Sequence, residues 1–190
     1  MLSRNRVEAM LADTGVLKEG HFLLASGLHS QYYFEKFRLL EQPAVLTQFC
    51  QELAQASQKF DPDAICGPTT GGVIIAYEVA RLLAKRCLFA EKTQGGRDFL
   101  RNQRITRGET FVVVDDVLTT GGSIRASMEA VTRNGGNVIA VGVLIDRSET
   151  SPDFGVPLYS IYRSPVKNHV PEECPLCKKG IPLSKPGGKG

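Results

Sequence analysis

The chain has 190 residues, of which 42% are hydrophobic and 23% charged, with a formal net charge of +3. This length suits one domain with a sizeable core, and the small net charge gives no argument for a nucleic-acid partner. The N-terminal residues carry charges where a secretory signal is apolar, and Glu78 and Arg81 interrupt the longest apolar run, 73–84. We therefore expect a soluble cytoplasmic protein without a membrane-spanning segment.

The N-terminal part of the chain predicts two helices on either side of a polar and aromatic stretch. Val7, Met10 and Leu11 recur at helical spacing, and Pro43 opens a second helix because proline is favoured in a first helical turn. Residues 20–41 mix short aromatic and polar runs. They predict a small antiparallel or irregular element.

From residue 63 onward, apolar strands alternate with helical segments. The helices end near Lys85 and Asn134, and the predicted strands are 63–66, 87–91, 110–116, 137–146 and 156–162. Continuous apolar strands separated by helices indicate a parallel sheet that is covered on both faces. The predicted fold class is α/β, an open and mainly parallel five-stranded sheet with helices on both faces.

The stretch FVVVDDVLTTGGS (111–123) runs from the third strand through two acids into a loop of small residues. Ligands bind at the carboxyl ends of parallel strands, and free N–H groups at a helix start attract phosphate. Asp115 and Asp116 precede the loop, so they face the group that carries the phosphate. A phosphorylated sugar suits both parts, because carboxylates accept hydrogen bonds from vicinal hydroxyls. The alternative is a capping motif on an ordinary βα unit.

This stretch resembles the phosphoribosyl-pyrophosphate (PRPP) motif of the type I phosphoribosyltransferases, and the resemblance runs from about residue 15 to the end. It implies that the two acids hold the ribose hydroxyls and that the loop binds the 5′-phosphate. The implied PRPP site in this stretch comprises Asp115, Asp116, Val117, Leu118, Thr119, Thr120, Gly121, Gly122 and Ser123. Mg²⁺ is the implied cofactor, held mainly by PRPP and water rather than by assigned protein side chains.

Within that family, two segments resemble the orotate phosphoribosyltransferases. GHFLLASGLHSQYYF (20–34) is similar to their N-terminal segment beside the base. The implied orotate site then includes Ser26, Gly27, Tyr33, Phe34 and Thr119. LIDRSE (144–149) is similar to a strand end whose arginine pairs with the orotate carboxylate, which implies Arg147.

The assignment of Arg147 to the orotate carboxylate bears on which base the enzyme uses. A planar guanidinium suits bidentate recognition of a carboxylate, and this favours an acidic pyrimidine over a purine. The alternative is a surface ion pair of Arg147 with Asp146 or Glu149.

Two loops complete the implied active site. GPTTGG (67–72) resembles the pyrophosphate loop and implies Thr70 and Gly71 as PRPP ligands. Segment 92–107 has two glycines, four arginines and few apolar anchors, as a closing lid has. Lys92 is the expected catalytic cation, followed by Arg101 and Arg104, whereas the alternative is a hairpin tip with solvated charges. In the family this loop closes over the neighbouring subunit's site, which implies a homodimer.

The resemblance divides the single domain 1–190 into functional parts. Residues 1–42 form a hood over the base site, 92–107 the mobile catalytic loop and 184–190 a frayed tail. The expected partners are the small molecules PRPP and orotate and a second copy of the chain, with no nucleic acid and no membrane.

The chain departs from well-known orotate phosphoribosyltransferases at three places. Ala25 stands where they have a lysine, Thr70 and Gly71 stand where their pyrophosphate loop has a lysine, and Ala90 and Glu91 replace an Arg-Lys pair in a loop that lacks histidine. The leading prediction is Mg²⁺-dependent transfer of phosphoribosyl from PRPP to orotate, which gives orotidine 5′-monophosphate and pyrophosphate in pyrimidine biosynthesis. The alternatives are transfer to another base and a catalytically weak PRPP-sensing regulator.

Five cysteines, three of them in apolar segments, indicate reduced thiols rather than a disulfide framework. Cys174 and Cys177 form a CxxC pair, the spacing with which two thiolates bind one Zn²⁺. His169 or a symmetry-related pair across a dimer would complete such a site. The alternatives are a tight turn with inert thiols and a redox pair.

Overall fold

A computed structural model describes residues 2–24, 26–164 and 166–186, and its central element is a six-stranded sheet. The helices are α1 (Arg4–Asp13), α2 (Phe37–Leu40), α3 (Pro43–Gln58), α4 (Gly71–Leu83), α5 (Gly122–Arg133) and α6 (Pro175–Lys178), with a 3₁₀ turn at Pro171–Glu173. The strands are β1 (Leu17–Leu23), β2 (His29–Phe34), β3 (Ala64–Pro68), β4 (Arg86–Thr93), β5 (Gly96–Asp98), β6 (Thr110–Leu118), β7 (Asn137–Asp146) and β8 (Leu158–Arg163).

The sheet has the order β5–β4–β3–β6–β7–β8. Strands β4, β3, β6, β7 and β8 are parallel, and they are the five strands that the sequence predicts. The sixth strand, β5, pairs antiparallel with the end of β4. The sequence prediction missed β5 because Gly96–Asp98 carries no apolar pattern.

Helices cover both faces of this sheet, as predicted. Val112 and Val114 of β6 pack on the side of α3 and α4, whereas Phe111 and Val113 pack on the side of α5. This alternation buries β6 on both faces and explains its uninterrupted apolar run. None of the helices in the described parts of the chain is both long and apolar enough to cross a membrane.

The N-terminal element predicted for residues 20–41 contains an antiparallel hairpin, β1–β2, separate from the main sheet. The C-terminal segment pairs with both of its strands. His29 and His169 exchange backbone hydrogen bonds of 2.8 and 2.9 Å, and Ser184 exchanges bonds of 2.9 and 2.8 Å with Leu23 and His21. The predicted tail therefore begins too early, because Ser184 is held by backbone pairing. Residues 187–190 lie outside the described residues.

Candidate active site

The acids of the predicted PRPP motif lie at the carboxyl end of β6, which is flanked by β3 and β7 in the middle of the sheet. Asp115 and Asp116 are both buried. The backbone N–H of Asp116 donates to Oδ1 of Asp115 at 2.8 Å, and that of Val117 donates to Oδ1 of Asp116 at 2.6 Å. These bonds fix both carboxylates near the carboxyl end of β6.

The two carboxyl groups have different electrostatic surroundings. Burial, together with the neighbouring Asp116 carboxylate, raises the pKa of Asp115 to about 7. Asp116 Oδ2 forms an ion pair with Nζ of Lys36 at 2.7 Å. The sequence prediction did not include Lys36, which follows the aromatic pair Tyr33–Phe34 by two positions. Lys36, which lies outside the motif 111–123, thus places a positive charge next to the acids at the carboxyl end of β6.

The loop after β6 has the features of an anion site at a helix start. Thr119 and Thr120 are exposed, and α5 begins at Gly122. Gly121 has a φ of 80°, and a Cβ there would lie 2.9 Å from Cζ of Phe154. Glycine is therefore required at Gly121 for both conformation and space. The first N–H groups of α5 lack helical acceptors and suit a phosphate.

The predicted pyrophosphate loop packs directly against the acids. A Cβ on Gly71 would lie 1.9 Å from Oδ2 of Asp116, and one on Gly72 would lie 3.1 Å from Oδ1 of Asp115 and 2.6 Å from Pro68. The two glycines therefore allow the start of α4 to approach the end of β6. The structure thus brings Gly71 to the acids, while Thr70 is exposed at the start of α4.

Arg97 joins the two loops, a role that the sequence prediction did not assign. Its guanidinium donates to Oγ1 and the carbonyl of Thr69 at 3.2 and 3.1 Å, and to Oγ of Ser123 at 2.9 Å. It also donates to the carbonyl of Ala90 at 2.8 Å. The short strand β5 positions this residue. Because β5 has no apolar pattern, the sequence did not distinguish Arg97 from the other three arginines of segment 92–107.

The cations predicted for the catalytic loop lie on the β4–β5 hairpin and the segment after it. Lys92 is exposed and pairs with Arg97 across the hairpin. Arg101 forms an ion pair with Glu91 at 2.9 Å, and Arg104 is exposed. Within the described part of the chain, none of these three side chains contacts Asp115 or Asp116. Their predicted roles stay predictions.

Segment 92–107 also has more apolar anchoring than the sequence prediction allowed. Phe99 and Ile105 pack against the core on the α5 side of the sheet. The side chain of Gln103 bonds to the backbone N–H and carbonyl of Phe89 at 2.9 and 3.1 Å. The segment therefore includes a hairpin whose continuation is attached to β4.

Arg147 lies at the end of β7 and is buried. Its Nη2 donates to the carbonyl of Tyr32 at 3.2 Å, and its guanidinium carbon lies 4.9 Å from the centre of the Phe34 ring. Burial lowers the pKa of Arg147 from its usual value. Among the described residues its Nε has no hydrogen-bond partner, and no ion pair with Asp146 or Glu149 is found. Asp146 instead pairs with Arg163 at 3.3 Å, so the alternative of a surface ion pair for Arg147 is wrong.

A cavity of about 640 Å³ connects Arg147 with the phosphate loop. Its lining includes the predicted residues Ser26, Thr119, Thr120 and Arg147, together with Asn168. In the described part of the chain, Oδ1 of Asn168 is buried without a partner, as is Nε of Arg147. Buried polar atoms that lack partners are rare, so this cavity suits a polar ligand.

The other predicted base-site residues belong to the hairpin. Gly27 has a φ of 83° in the turn between β1 and β2, and its N–H donates to the carbonyl of Leu24 at 2.9 Å. Phe34 is buried under Arg147, and burial also raises the pKa of Tyr33. Ala25, where a family lysine is replaced, lies outside the described residues.

Comparison with known proteins identifies the class to which this site belongs. A family model described as a phosphoribosyl transferase domain matches residues 38–153. This span includes the acids, the phosphate loop and the predicted pyrophosphate loop.

Relatives that match nearly the whole chain identify the subgroup of this family to which it belongs. The chain is 43% identical to the orotate phosphoribosyltransferase of Caldanaerobacter subterraneus subsp. tengcongensis over 99% of both chains. It is 45% identical to that of Thermotoga maritima over 97% of this chain and 98% of the relative. The crystal structure of orotate phosphoribosyltransferase from Aeropyrum pernix superimposes with a TM-score of 0.67 at 29% identity, over 83% of this chain and 93% of that one. The chain belongs to the phosphoribosyl transferase family and, within it, to the orotate phosphoribosyltransferases.

Proposed function

We propose that this chain transfers the phosphoribosyl group of PRPP to orotate in the cytoplasm, with Mg²⁺ as cofactor, and so serves pyrimidine biosynthesis. The observation that carries the proposal is the single cavity that joins Arg147 to Thr119 and Thr120. A carboxylate-binding guanidinium and a phosphate-binding loop that line one cavity suit an acidic base and a phosphorylated sugar.

The two acids of β6 and the loop that follows them account for PRPP. Asp115 and Asp116 accept hydrogen bonds from the ribose 2′- and 3′-hydroxyls, and the N–H groups at the start of α5 bind the 5′-phosphate. Asp115 accepts such bonds more strongly as a carboxylate than as a protonated carboxyl group. Since its pKa is about 7 in the free protein, PRPP binding strengthens as the pH rises through that value.

The base half accounts for orotate. The Arg147 guanidinium donates to the orotate carboxylate, and its position over the Phe34 ring limits its orientation. Asn168 supplies a side-chain amide that can hydrogen-bond to the pyrimidine edge. Together these contacts hold N1 of orotate toward C1′ of the sugar, and this positioning is the main contribution of the chain to the reaction.

Charge on the leaving pyrophosphate requires cations and N–H donors. The loop at Thr70 and Gly71 supplies N–H groups, and Arg97 holds this loop to Ser123. Lys92 is an exposed cation near the end of β4. Two adjacent buried carboxyl groups would be stabilised in their ionised form by a divalent cation bound through PRPP. Mg²⁺ would supply charge neutralisation of the pyrophosphate when bound.

A homodimer belongs to the same proposal. Phe37 on α2 and Ile74 and Tyr77 on α4 are exposed apolar side chains on helices that contact each other near the acids. Such a patch suits a second copy of the chain whose 92–107 loop reaches this site. Sedimentation equilibrium of wild type and Tyr77→Asp tests this: we expect a dimer that the substitution weakens, whereas a monomeric wild type would contradict it.

The activity is tested by mixing purified protein, PRPP, Mg²⁺ and orotate and following the loss of orotate absorbance. We expect turnover with orotate and none with adenine, hypoxanthine or uracil. Turnover with one of those bases instead would support the other-base alternative. PRPP binding without pyrophosphate release from any base would support the regulator.

A further inference from the structure

Four side chains with metal-binding atoms meet where the β1–β2 hairpin contacts the C-terminal segment. They are His21 on β1, His29 on β2, and Cys174 and Cys177 of the CxxC pair. We call them the Cys–His cluster. Their ligand atoms all lie within 4.8 Å of one another, and all but Cys177 are buried. His169, the ligand suggested by the sequence, instead pairs with His29 through its backbone.

Four separations within the cluster are close to those of a tetrahedral metal site. Zinc bonds of about 2.3 Å to sulfur and about 2.0 Å to nitrogen place neighbouring ligand atoms roughly 3.3 to 3.8 Å apart. Nε2 of His21 lies 3.5 Å from Sγ of Cys174 and 3.7 Å from Sγ of Cys177. Nδ1 of His29 lies 3.2 Å from Sγ of Cys177 and 3.1 Å from Nε2 of His21.

The hydrogen bonding of His21 sets the tautomer that a metal requires. Its Nδ1 lies 2.7 Å from the carbonyl oxygen of Ile181. A carbonyl only accepts hydrogen bonds, so Nδ1 carries a proton, and Nε2 is the ring atom that can present a lone pair to a metal. A ligating histidine commonly donates its other ring N–H to a backbone carbonyl in this way.

Hydrogen bonds among the four groups do not account for their convergence. Nε2 of His21 lies within 3.7 Å of three heteroatoms, one nitrogen and two sulfurs. Its single lone pair accepts one well-directed hydrogen bond, so two of these neighbours gain nothing from it. A single cation placed between the four ligand atoms would accept a lone pair from each of them. We propose that the Cys–His cluster binds one Zn²⁺ ion.

The ligand types select zinc over the expected active-site Mg²⁺. Two thiolates and two imidazoles form a tetrahedral S₂N₂ set, whereas Mg²⁺ prefers six oxygen ligands. Two thiolates also neutralise the charge of Zn²⁺, which suits a largely buried site. Since four protein ligands fill the coordination sphere, the site is structural rather than catalytic.

The position of the cluster gives the ion a role. His21 and His29 lie on either side of the hairpin turn that contains Ser26, and Ser26 lines the cavity with Arg147. Cys174 and Cys177 belong to the segment that pairs with both hairpin strands. A bound ion therefore fixes the turn and the C-terminal segment in one arrangement. This inference does not depend on which base the enzyme uses.

The test uses full-length protein without a histidine tag. Wild type purified without chelators should contain about one Zn²⁺ per chain by mass spectrometry. After chelation and addition of Co²⁺, it should show the visible bands of tetrahedral cobalt and a thiolate charge-transfer band. Cys177→Ser and His29→Asn should lose the metal and lower the Tm by about 5 °C or more.

Matched substitutions separate the cluster from other thiols and histidines. Cys87→Ser and His169→Asn change residues of the same types outside the cluster and should keep zinc and cobalt bands unchanged. Wild type with less than about a tenth of an ion per chain that also shows no cobalt bands would overturn the proposal. A Cys174–Cys177 disulfide in the freshly purified protein, or full metal content in Cys177→Ser, would also overturn it. If the variants misfold, zinc titration of chelated wild type gives the same decision.

Discussion

The acidic end of β6 and the Cys–His cluster are assembled in different ways. The first places its chemical groups within the run 115–123, where strand, loop and helix start follow one another. The second joins side chains that are 148 and 153 positions apart in the chain. Closeness in the chain brings the first set together, whereas the second exists only when the last segment has docked. Substitutions in the first region should therefore change chemistry, and those in the second should change stability.

The strongest test of this difference is Asp115→Asn. We expect kcat/KM to fall by about 100-fold or more, because the amide oxygen accepts ribose hydrogen bonds without the negative charge. The Tm should not fall, because the substitution removes one of two neighbouring carboxylates. Steady-state kinetics and thermal unfolding measure the two effects. Full activity, or a loss of Tm as large as that in Cys177→Ser, would contradict the comparison.

The same variant has a defined pH dependence of stability. The pKa of Asp115 is raised from 3.8 to about 7, so between these values the folded chain holds a proton that the unfolded chain lacks. This group therefore stabilises the fold at low pH, and its contribution declines as the pH rises toward 7. The Tm of Asp115→Asn relative to wild type should be higher at about pH 8 than at about pH 5. An equal difference at both pH values would argue against the raised pKa.

Arg147→Ala tests a residue that links the two regions, since Arg147 directly follows β7 and donates a hydrogen bond to Tyr32 of the hairpin. We expect the KM for orotate to rise by about 10- to 100-fold, because a charge-assisted hydrogen bond to the base is lost. The KM for PRPP should change little. Arg81→Ala, which removes an exposed arginine paired with Glu78 on α4, is the matched control and should leave both constants unchanged. Equal increases in KM for orotate and for PRPP in Arg147→Ala would contradict the assignment of this residue to orotate binding.

Gly71→Ala tests whether the positions of Asp115 and Asp116 depend on the neighbouring pyrophosphate loop. The new Cβ would lie 1.9 Å from Oδ2 of Asp116, so the loop or the carboxylate must move. We expect kcat/KM to fall by about 10-fold, as misplaced catalytic groups cause, and the Tm to fall as well. Gly122→Ala is the steric control for stability, because its Cβ meets only Oγ1 of Thr120 at 3.8 Å. Equal Tm values for the two variants would show that the approach at Gly71 is not restrictive.

The smallest expected effect belongs to Lys36→Met. Its ion pair with Asp116 is partly exposed, so we expect the KM for PRPP to rise by only about 3-fold. Lys36 also lowers the pKa of Asp115, so its loss should shift the acidic limb of the activity profile to higher pH. Lys36→Arg should restore both properties. An unchanged profile in Lys36→Met would separate Lys36 from the titration of Asp115.

Continuous patterns made the central part of this molecule predictable from sequence. The apolar run before Asp115 and the small residues after it define strand, loop and helix start locally, and the five parallel strands follow the same logic. Arg97 and Lys36 were not predicted as site residues because their partners, Ser123 and Asp116, are distant in the chain. The sequence showed the spacing of Cys174 and Cys177 but not the two histidines, which contact them only through the tertiary fold.

The pairing of Ser184 with β1 has a consequence for the order in which the protein matures during synthesis. The strands of the parallel sheet are complete by residue 163, so the ribosome has delivered the whole sheet before it delivers the residues that hold the hairpin. Domains generally fold as units, and the hairpin gains its contacts with residues 169 and 184 only after nearly the whole chain is made. We therefore expect the cavity beside Arg147 to be completed only after the C-terminal segment has been synthesised and has paired with the hairpin.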